Sequence, residues 1–195
     1  MLDCLVAGRP VPARVLVIVA HPDDETIGIG GHMARFADLH LLHVTDGAPR
    51  NGADARAHGF ASPGDYATAR RKELARALCL AGQDPDRAAR LGVPDQEAAL
   101  HLPRIVDAVA ACLSKLRPVA VLTHAYEGGH PDHDATAFAV HAACARVGAA
   151  PPEVVEMTGY HAGPDGIVAG RFLPAEAASE VDMKASCSTN GFHGA

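Results

Sequence analysis

The sequence is poor in aromatic residues: it has no tryptophan, three tyrosines and five phenylalanines. So few rings give no aromatic platform on which a ligand could be placed from the sequence. Long apolar runs are also absent, since the longest, such as residues 15–20, have six residues, whereas a membrane-spanning helix needs roughly 20. Asp3 stands where a signal peptide would be basic, and no apolar segment follows it. We therefore expect no membrane span and a cytoplasmic location.

Cysteine pairs of the Cys-x-x-Cys type are missing as well. The five cysteines are widely spaced and odd in number, which argues against a disulfide framework or a cysteine zinc site. Acidic residues outnumber basic ones by 23 to 17, and the resulting net charge of −6 is unlike that of a nucleic-acid-binding protein. The hydrophobic fraction of 48% is ordinary for a globular protein. The length fits a single domain, which we place at residues 1–195.

The chain does contain a regular alternation of strand-like and helix-like segments. The predicted strands are residues 14–20, 39–45, 90–93, 119–123 and 154–157, followed by a hairpin of residues 167–169 and 171–173. The predicted helices are residues 30–37, 63–81, 105–116, a segment after Asp134, and residues 175–185, with a long loop at residues 48–61. This alternation predicts an α/β fold: a Rossmann-like, doubly wound, mostly parallel sheet with helices on both faces.

Two polar clusters follow the first and the fourth predicted strands. The first is His-Pro-Asp-Asp-Glu at residues 21–25, and the second is His-Pro-Asp-His-Asp at residues 130–134. In a sheet of strand order 3-2-1-4-5 these two strands are neighbours at the topological switch point, where ligands bind. We therefore expect both clusters to line one crevice.

The residue types in these clusters suit a catalytic metal ion. Zinc in such sites commonly takes three His or carboxylate ligands and leaves one position open. His21 and Asp24, with one of His130 and His133, would supply this set and leave Asp23 free as a base. In the alternative interpretation the acids at 23–25 only cap the next helix, but that does not explain the two His-Pro pairs.

With these motifs the sequence resembles the LmbE-like (PIG-L) family of zinc-dependent N-deacetylases. Thr45-Asp-Gly47 and Arg70-x-x-Glu73 extend the resemblance, which covers about residues 15–147. From about residue 150 the match is loose. We therefore expect that the chain, which ends at residue 195, is either naturally short or truncated. The resemblance implies a hydrolase that removes an N-acyl group, typically N-acetyl, from an amino sugar such as N-acetylglucosamine or from a sugar conjugate.

The resemblance also implies a role for individual residues. His21, Asp24 and His133 would bind one zinc ion per chain, although such a set also accepts iron, cobalt or nickel. Asp23 would be the general base for a water molecule activated by zinc. His130 would stabilise the oxyanion or protonate the leaving amine.

Three further residues belong to the expected site. Arg70 matches a family position associated with substrate binding. Tyr126 lies in the second loop, where it could contact the substrate or simply pack. Asp132 could orient the ring of His130 by a hydrogen bond, or it could cap the following helix.

Three other interpretations stay open. The same centre would serve an amidase acting on a sugar or thiol conjugate, and the fold alone could serve a binding module without catalysis. A nucleotide-binding oxidoreductase is the third, because of Gly28-Ile-Gly30, but Met33 stands where a dinucleotide fingerprint needs its third glycine. The expected partner is a small N-acylated sugar, no nucleic acid is expected, and a homo-oligomer is left open.

Overall fold

The computed structural model describes residues 1–148, 150–174 and 180–181. Its strands are β1 (Val11–Val19), β2 (Phe36–Thr45), β3 (Ala88–Val93), β4 (Ala120–His124), β5 (Glu153–Met157), β6 (Tyr160–Gly163) and β7 (Gly166–Ala169). Its α-helices are α1 (Leu2–Val6), α2 (Asp24–Ile29), α3 (Ala53–Ala57), α4 (Pro63–Leu80), α5 (Leu102–Leu116) and α6 (Pro131–Arg146). Short 3-10 helices lie at Gly30–Arg35, Pro85–Arg87 and Ala98–His101.

Five strands form one parallel sheet in the order β3-β2-β1-β4-β5. The predicted strand order is therefore confirmed, and β1 and β4 are neighbours in the centre of the sheet. Val17 of β1 lies opposite Leu41 of β2 on one side and Leu122 of β4 on the other. A central strand of a parallel sheet is covered on both faces, which is why β1 is apolar and buried without interruption from Val15 to Val19.

Helices cover both faces of this sheet, as the fold prediction requires. Successive residues of β1 alternate between the two faces: Leu16 and Ile18 pack in one core cluster with helices α5 and α6. Val15 and Val17 belong to the opposite cluster with Leu78 of α4. Burying each such side chain contributes roughly 1.5–3 kcal/mol, so the sheet is a rigid base for the loops at its carboxyl edge.

Several element boundaries differ from the sequence-based expectation. Residues 30–37 do not form one helix: α2 precedes a 3-10 helix, and β2 already begins at Phe36. The expected loop at residues 48–61 contains the short helix α3. Helix α6 begins at Pro131, before Asp134, because proline suits the first helical position.

The C-terminal hairpin also pairs differently from the prediction. Residues 167–169 do form a strand, within β7, but its partner is β6 and not residues 171–173. The main-chain N–H of Gly170 donates to the carbonyl of Gly159, so the ladder closes on the residue before β6. The helix expected at residues 175–185 lies outside the described residues. No helix in the described ranges is both long and apolar enough to cross a lipid bilayer.

Candidate metal centre

The two polar loops meet at the carboxyl ends of β1 and β4. The main-chain N–H of Ala20, just after β1, donates to Nε2 of His124, the last residue of β4, over 2.9 Å. The carbonyl of Ala20 accepts the main-chain N–H of Thr45 at the end of β2. The start of the first loop, residues 20–25, is therefore bonded to both neighbouring strands before its first functional side chain.

His21 is buried, and each of its ring nitrogens lies near carboxylate. Its Nδ1 lies 3.3 Å from Asp24 Oδ2, and its Nε2 lies 3.1 Å from Asp95 Oδ1 and 3.3 Å from Asp132 Oδ2. Burial alone would lower the pKa of His21, but the contacts with Asp132, Asp24 and Asp95 raise it to about 11. This surrounding negative charge favours a cation at the site.

Asp24 occupies the middle of the histidine cluster. Its Oδ2 accepts the main-chain N–H of His21 over 2.6 Å and lies 3.2 Å from Nε2 of His124. Its Oδ1 lies 3.4 Å from Nε2 of His133. Burial acts to raise the pKa of Asp24, but the contacts with His124, His133 and His21 outweigh it and lower the pKa. The carboxylate is therefore charged at neutral pH, as a metal ligand must be.

Asp23 is oriented differently from its neighbour Asp24. Its side chain is 57% exposed, and Oδ2 lies 2.8 Å from Nη2 of Arg70. Its backbone has φ 138° and ψ −24°, a conformation that L-residues rarely adopt. Partial burial raises the pKa of Asp23 against the opposing charge of Arg70. A raised pKa moves a carboxylate toward the range in which it works as a general base.

Arg70, expected to bind substrate, directs its guanidinium at the first loop. Nη2 donates to the carbonyl of Pro22 over 2.7 Å as well as contacting Asp23. Nη1 donates to the carbonyl of Gly47 over 2.8 Å. The side chain is only 15% exposed. In this structure Arg70 therefore joins the loops after β1 and β2, and together with Asp23 it lines a small pocket beside them.

His130 lies at the start of α6, and its ring is held by the main chain. Its Nδ1 accepts the main-chain N–H of Asp132 over 3.1 Å, so a neutral ring carries its proton on Nε2. Burial, together with the charges of His21 and His133, lowers the pKa of His130. The neutral form, a hydrogen-bond donor through Nε2, is therefore favoured.

The carboxylate of Asp132 does not contact His130, which corrects the expected orienting role. It is fully buried and accepts the main-chain N–H groups of Gln96 and Ala98 over 2.6 and 2.9 Å. Its remaining contact is with Nε2 of His21. The physical reason is helical geometry: the side chain in the first turn of α6 points back towards β1 and reaches His21 instead.

His133 faces the centre from the first turn of α6. Its ring stacks on that of His124, with centroids 3.9 Å apart, and meets the edge of the Tyr160 ring at 5.7 Å. Tyr126, expected near the substrate, is 67% exposed. Tyr160, at the start of β6, is the tyrosine whose ring contacts the histidine cluster.

The donor atoms fit a metal ion. Among the residues that the structure describes, three groups of donor atoms lie within 4.8 Å of one another: His21 with His130 and His133, Asp24 with His124 and His133, and His21 with Asp95 and Asp132. Each ligand implied by the resemblance occurs in at least one group. Buried imidazole nitrogens and carboxylate oxygens suit zinc and other divalent transition metals. A divalent cation would also balance the carboxylates around His21.

The sequence interpretation did not single out Asp95 as a site residue, and it predicted for His124 only that the ring could line the pocket or simply pack. Asp95 follows β3 in a Pro-Asp turn, and His124 ends β4, so both lie at the carboxyl edge where ligands bind. A search for polar residues at every strand end would have found them. The buried Glu25–His43 contact of 2.9 Å had no such signal, since it joins α2 to the interior of β2.

Comparison with known proteins agrees with this geometry. Residues 16–144 match the family described as PIG-L, GlcNAc-PI de-N-acetylase. The chain is 34% identical over 167 residues to the 1D-myo-inositol 2-acetamido-2-deoxy-alpha-D-glucopyranoside deacetylase of Rhodococcus erythropolis, covering 73% of this chain and 57% of the relative. A similarly described deacetylase of Saccharopolyspora erythraea is 30% identical over 207 residues, covering 87% and 64%.

A solved structure is similar as well. The N,N'-diacetylchitobiose deacetylase from Pyrococcus horikoshii matches with a TM-score of 0.55 and 27% identity, over 68% of this chain and 49% of that one. The chain thus spans about half to two thirds of the length of these relatives. The family match includes β1 from Leu16, β4, both polar loops and nearly all of α6, and the chain belongs to the PIG-L family.

Proposed function

We propose that this protein is a metal-dependent hydrolase that removes an N-acetyl group from an amino sugar or a sugar conjugate. The observation that carries the proposal is the position of Asp24. Its carboxylate lies within 3.4 Å of His21 in its own loop and of His133 in the first turn of α6. One carboxylate thus connects donors from the first loop and from α6, with Asp23 beside it and exposed.

His21, Asp24 and His133 are the proposed metal ligands, and zinc is the proposed ion. The contacts of His21 support this assignment, because Asp95 and Asp132 engage Nε2 and leave Nδ1 on the side of Asp24. A carboxylate behind a ligating histidine fixes its orientation and raises its basicity. A divalent ion held there supplies Lewis acidity, which acidifies water and polarises an amide carbonyl.

Asp23 and His130 are the proposed catalytic residues. Asp23 accepts the proton of the water molecule that attacks the acetamide carbonyl. His130, neutral and protonated on Nε2, donates a hydrogen bond to the oxygen on which negative charge develops. Asp23 then returns its proton to the nitrogen as the carbon–nitrogen bond breaks, which releases acetate and a free amine. The exposed carboxylate and the lowered pKa of His130 support this division of roles.

The proposed substrate class follows from the relatives. Those named above are described as deacetylases of N-acetylated sugar compounds, and the family match covers both polar loops of this chain. We propose residues 1–195 as one domain of this type. The identity of the sugar depends on groups beyond the acetamide, so a panel of substrates is the appropriate test.

The decisive experiment measures free amine released from N-acetylated sugars and inositol conjugates by metal-loaded protein. We expect release that a chelator abolishes and added zinc restores. Asp23→Asn should keep one metal ion per chain and lose at least about 100-fold in turnover, since a positioned general base contributes about 10²–10⁴-fold. A protein that binds no metal, or an Asp23→Asn variant of normal activity, would overturn the proposal.

A further inference from the structure

A buried ionisable pair outside the donor set lies directly behind the catalytic loop. Glu25 of α2 is fully buried, His43 of β2 is nearly so, and His43 Nε2 donates to Glu25 Oε2 over 2.9 Å. Burying two ionisable groups is costly, and apolar residues of similar volume are often as stable there. The pair therefore calls for a reason other than stability.

Glu25 also holds the main chain of residue 23. The same Oε2 accepts the main-chain N–H of Asp23 over 3.1 Å, while Oε1 accepts the hydroxyl of Thr26 over 2.7 Å. The contacts thus form a chain from β2 through His43 and Glu25 to the peptide group of Asp23. From the other side, Arg70 of α4 donates to the carbonyl of Pro22, in that same peptide group.

The peptide group held in this way precedes a strained residue. Asp23 has φ 138°, and such a backbone persists only where the surrounding structure enforces it. Asp24, the next residue, is fixed by its own contacts with the histidines. The backbone at residue 23 therefore decides where the carboxylate of Asp23 lies relative to the proposed metal ligands.

We propose that the buried Glu25–His43 pair is a positioning device that holds Asp23 in this strained conformation. The catalytic part of the inference rests on the proposed function, in which Asp23 is the base. The conformational part does not, because it concerns the backbone of residue 23 whether or not the protein turns over a substrate. Misplacing a reacting group by about 1 Å can cost about 100-fold in rate.

The first test uses thermal unfolding and needs no substrate. Asp23→Gly and Asp23→Ala both remove the carboxylate, but only glycine adopts positive φ without strain. We expect the glycine variant to melt about 3 °C above the alanine variant. The comparison is repeated with Glu25→Met and His43→Leu together, which replaces the pair by apolar side chains and avoids an unpaired buried charge.

In the protein that carries the double replacement at 25 and 43, the backbone of residue 23 can relax. The Asp23→Ala variant should then melt at the same temperature as the Asp23→Gly variant or above it. An unchanged advantage of glycine would overturn the inference. If Asp23→Gly has no advantage in the unaltered background, residue 23 is not strained, and the inference is wrong as well. Both results are obtained even when no substrate is known.

The second test measures turnover with a matched histidine control. His40, on the same strand, contacts Asp38 at 3.1 Å through its Nε2, away from the catalytic loop. The double replacement at 25 and 43 should lower kcat about tenfold or more while KM and metal affinity stay within about threefold. The single variant His43→Gln keeps a hydrogen-bond donor at residue 43 and should retain most of the kcat of the unaltered protein. His40→Leu should leave kcat unchanged.

The outcomes separate the two proposals. Failure of every variant and of the unaltered protein to release amine would count against the proposed function, while the melting comparison still decides the inference. Normal kcat in the double variant would overturn the inference while leaving the function in place. A loss of metal affinity equal to the loss of kcat would show that the pair supports the metal ligands and not Asp23.

Discussion

The two loops that meet at the candidate metal centre are held in different ways. The first loop, residues 20–25, is bonded by side chains from distant parts of the chain: Asp95 after β3, Asp132 of α6, His43 of β2 and Arg70 of α4. The second, residues 125–130, is held largely by its own helix, because Asp134 Oδ1 accepts the main-chain N–H groups of Glu127 and Gly128. Long-range contacts thus concentrate where the proposed base lies.

The second loop has its own external support, from the hairpin. Glu127 accepts the Thr158 hydroxyl and the Gly159 N–H, each over 2.8 Å. A Cβ at Gly129 would overlap the carbonyl oxygen of Tyr160, so the loop and the hairpin touch through their main chains. The first half of the site is therefore held by side chains from several distant elements, while the second half depends on its own helix and on the segment that leads into a peripheral hairpin.

The largest loss of metal affinity is expected when the residue that contacts both halves of the site is removed. Asp24→Ala deletes the carboxylate that lies near His21 and His133. We expect metal affinity to fall at least about 100-fold and amine release to disappear, since loss of one of three ligands leaves an incomplete site. Metal content after dialysis and competition with a chelator measure the effect.

Asp38→Ala is the matched control for this prediction. Asp38 is also held by basic side chains, Arg14 and Arg87 among them, but it lies near the opposite end of the sheet. The control should keep full metal content. A stoichiometric metal ion in Asp24→Ala would show that the remaining histidines suffice.

The next largest loss of metal affinity is expected where helix α6 contacts the first loop. Asp132→Asn removes the charge facing His21 Nε2, and loss of such a partner costs about 10–100-fold in metal affinity. Asp134→Asn, two residues further along α6, changes only the local contacts of the second loop and should alter metal affinity less than about threefold. Equal losses of metal affinity in both variants would contradict the prediction that the contact between α6 and the first loop matters more for metal binding than the local contacts of the second loop.

The same distinction explains what the sequence could predict. The strands of the parallel sheet and the positions of the two His-Pro loops after them follow from the alternation of apolar and polar segments, because that pattern is local. The partners of His21 and Glu25 do not: Asp95 is 74 residues from His21, and His43 lies inside a strand whose pattern only indicates burial. The partners of the Asp132 carboxylate could not be predicted for the same reason, since they are set by how α6 packs on the sheet.

A smaller effect is expected in the pH dependence of turnover. The positive charge of Arg70 opposes the rise in the pKa of Asp23. Arg70→Met removes this charge, so Asp23 stays protonated to higher pH and the acid limb of kcat/KM should move up by about half a unit to one unit. Arg70→Lys keeps the charge and should shift the limb less. A downward shift of the acid limb, or no shift, would show that Asp23 is not the group whose ionisation sets this limb.

The smallest effect is expected at the hairpin. Glu127→Gln turns one of its two acceptors into a donor that faces the Thr158 hydroxyl or the Gly159 N–H. Losing one such hydrogen bond should lower the free energy of unfolding by about 1 kcal/mol, or about 2–4 °C in melting temperature. Because the hydrogen bonds of Glu127 hold the second loop, metal affinity should stay within about threefold while KM rises. A drop in metal affinity as large as that of Asp132→Asn would mean that this support extends to the proposed metal ligands, through the Tyr160 ring that meets the ring of His133.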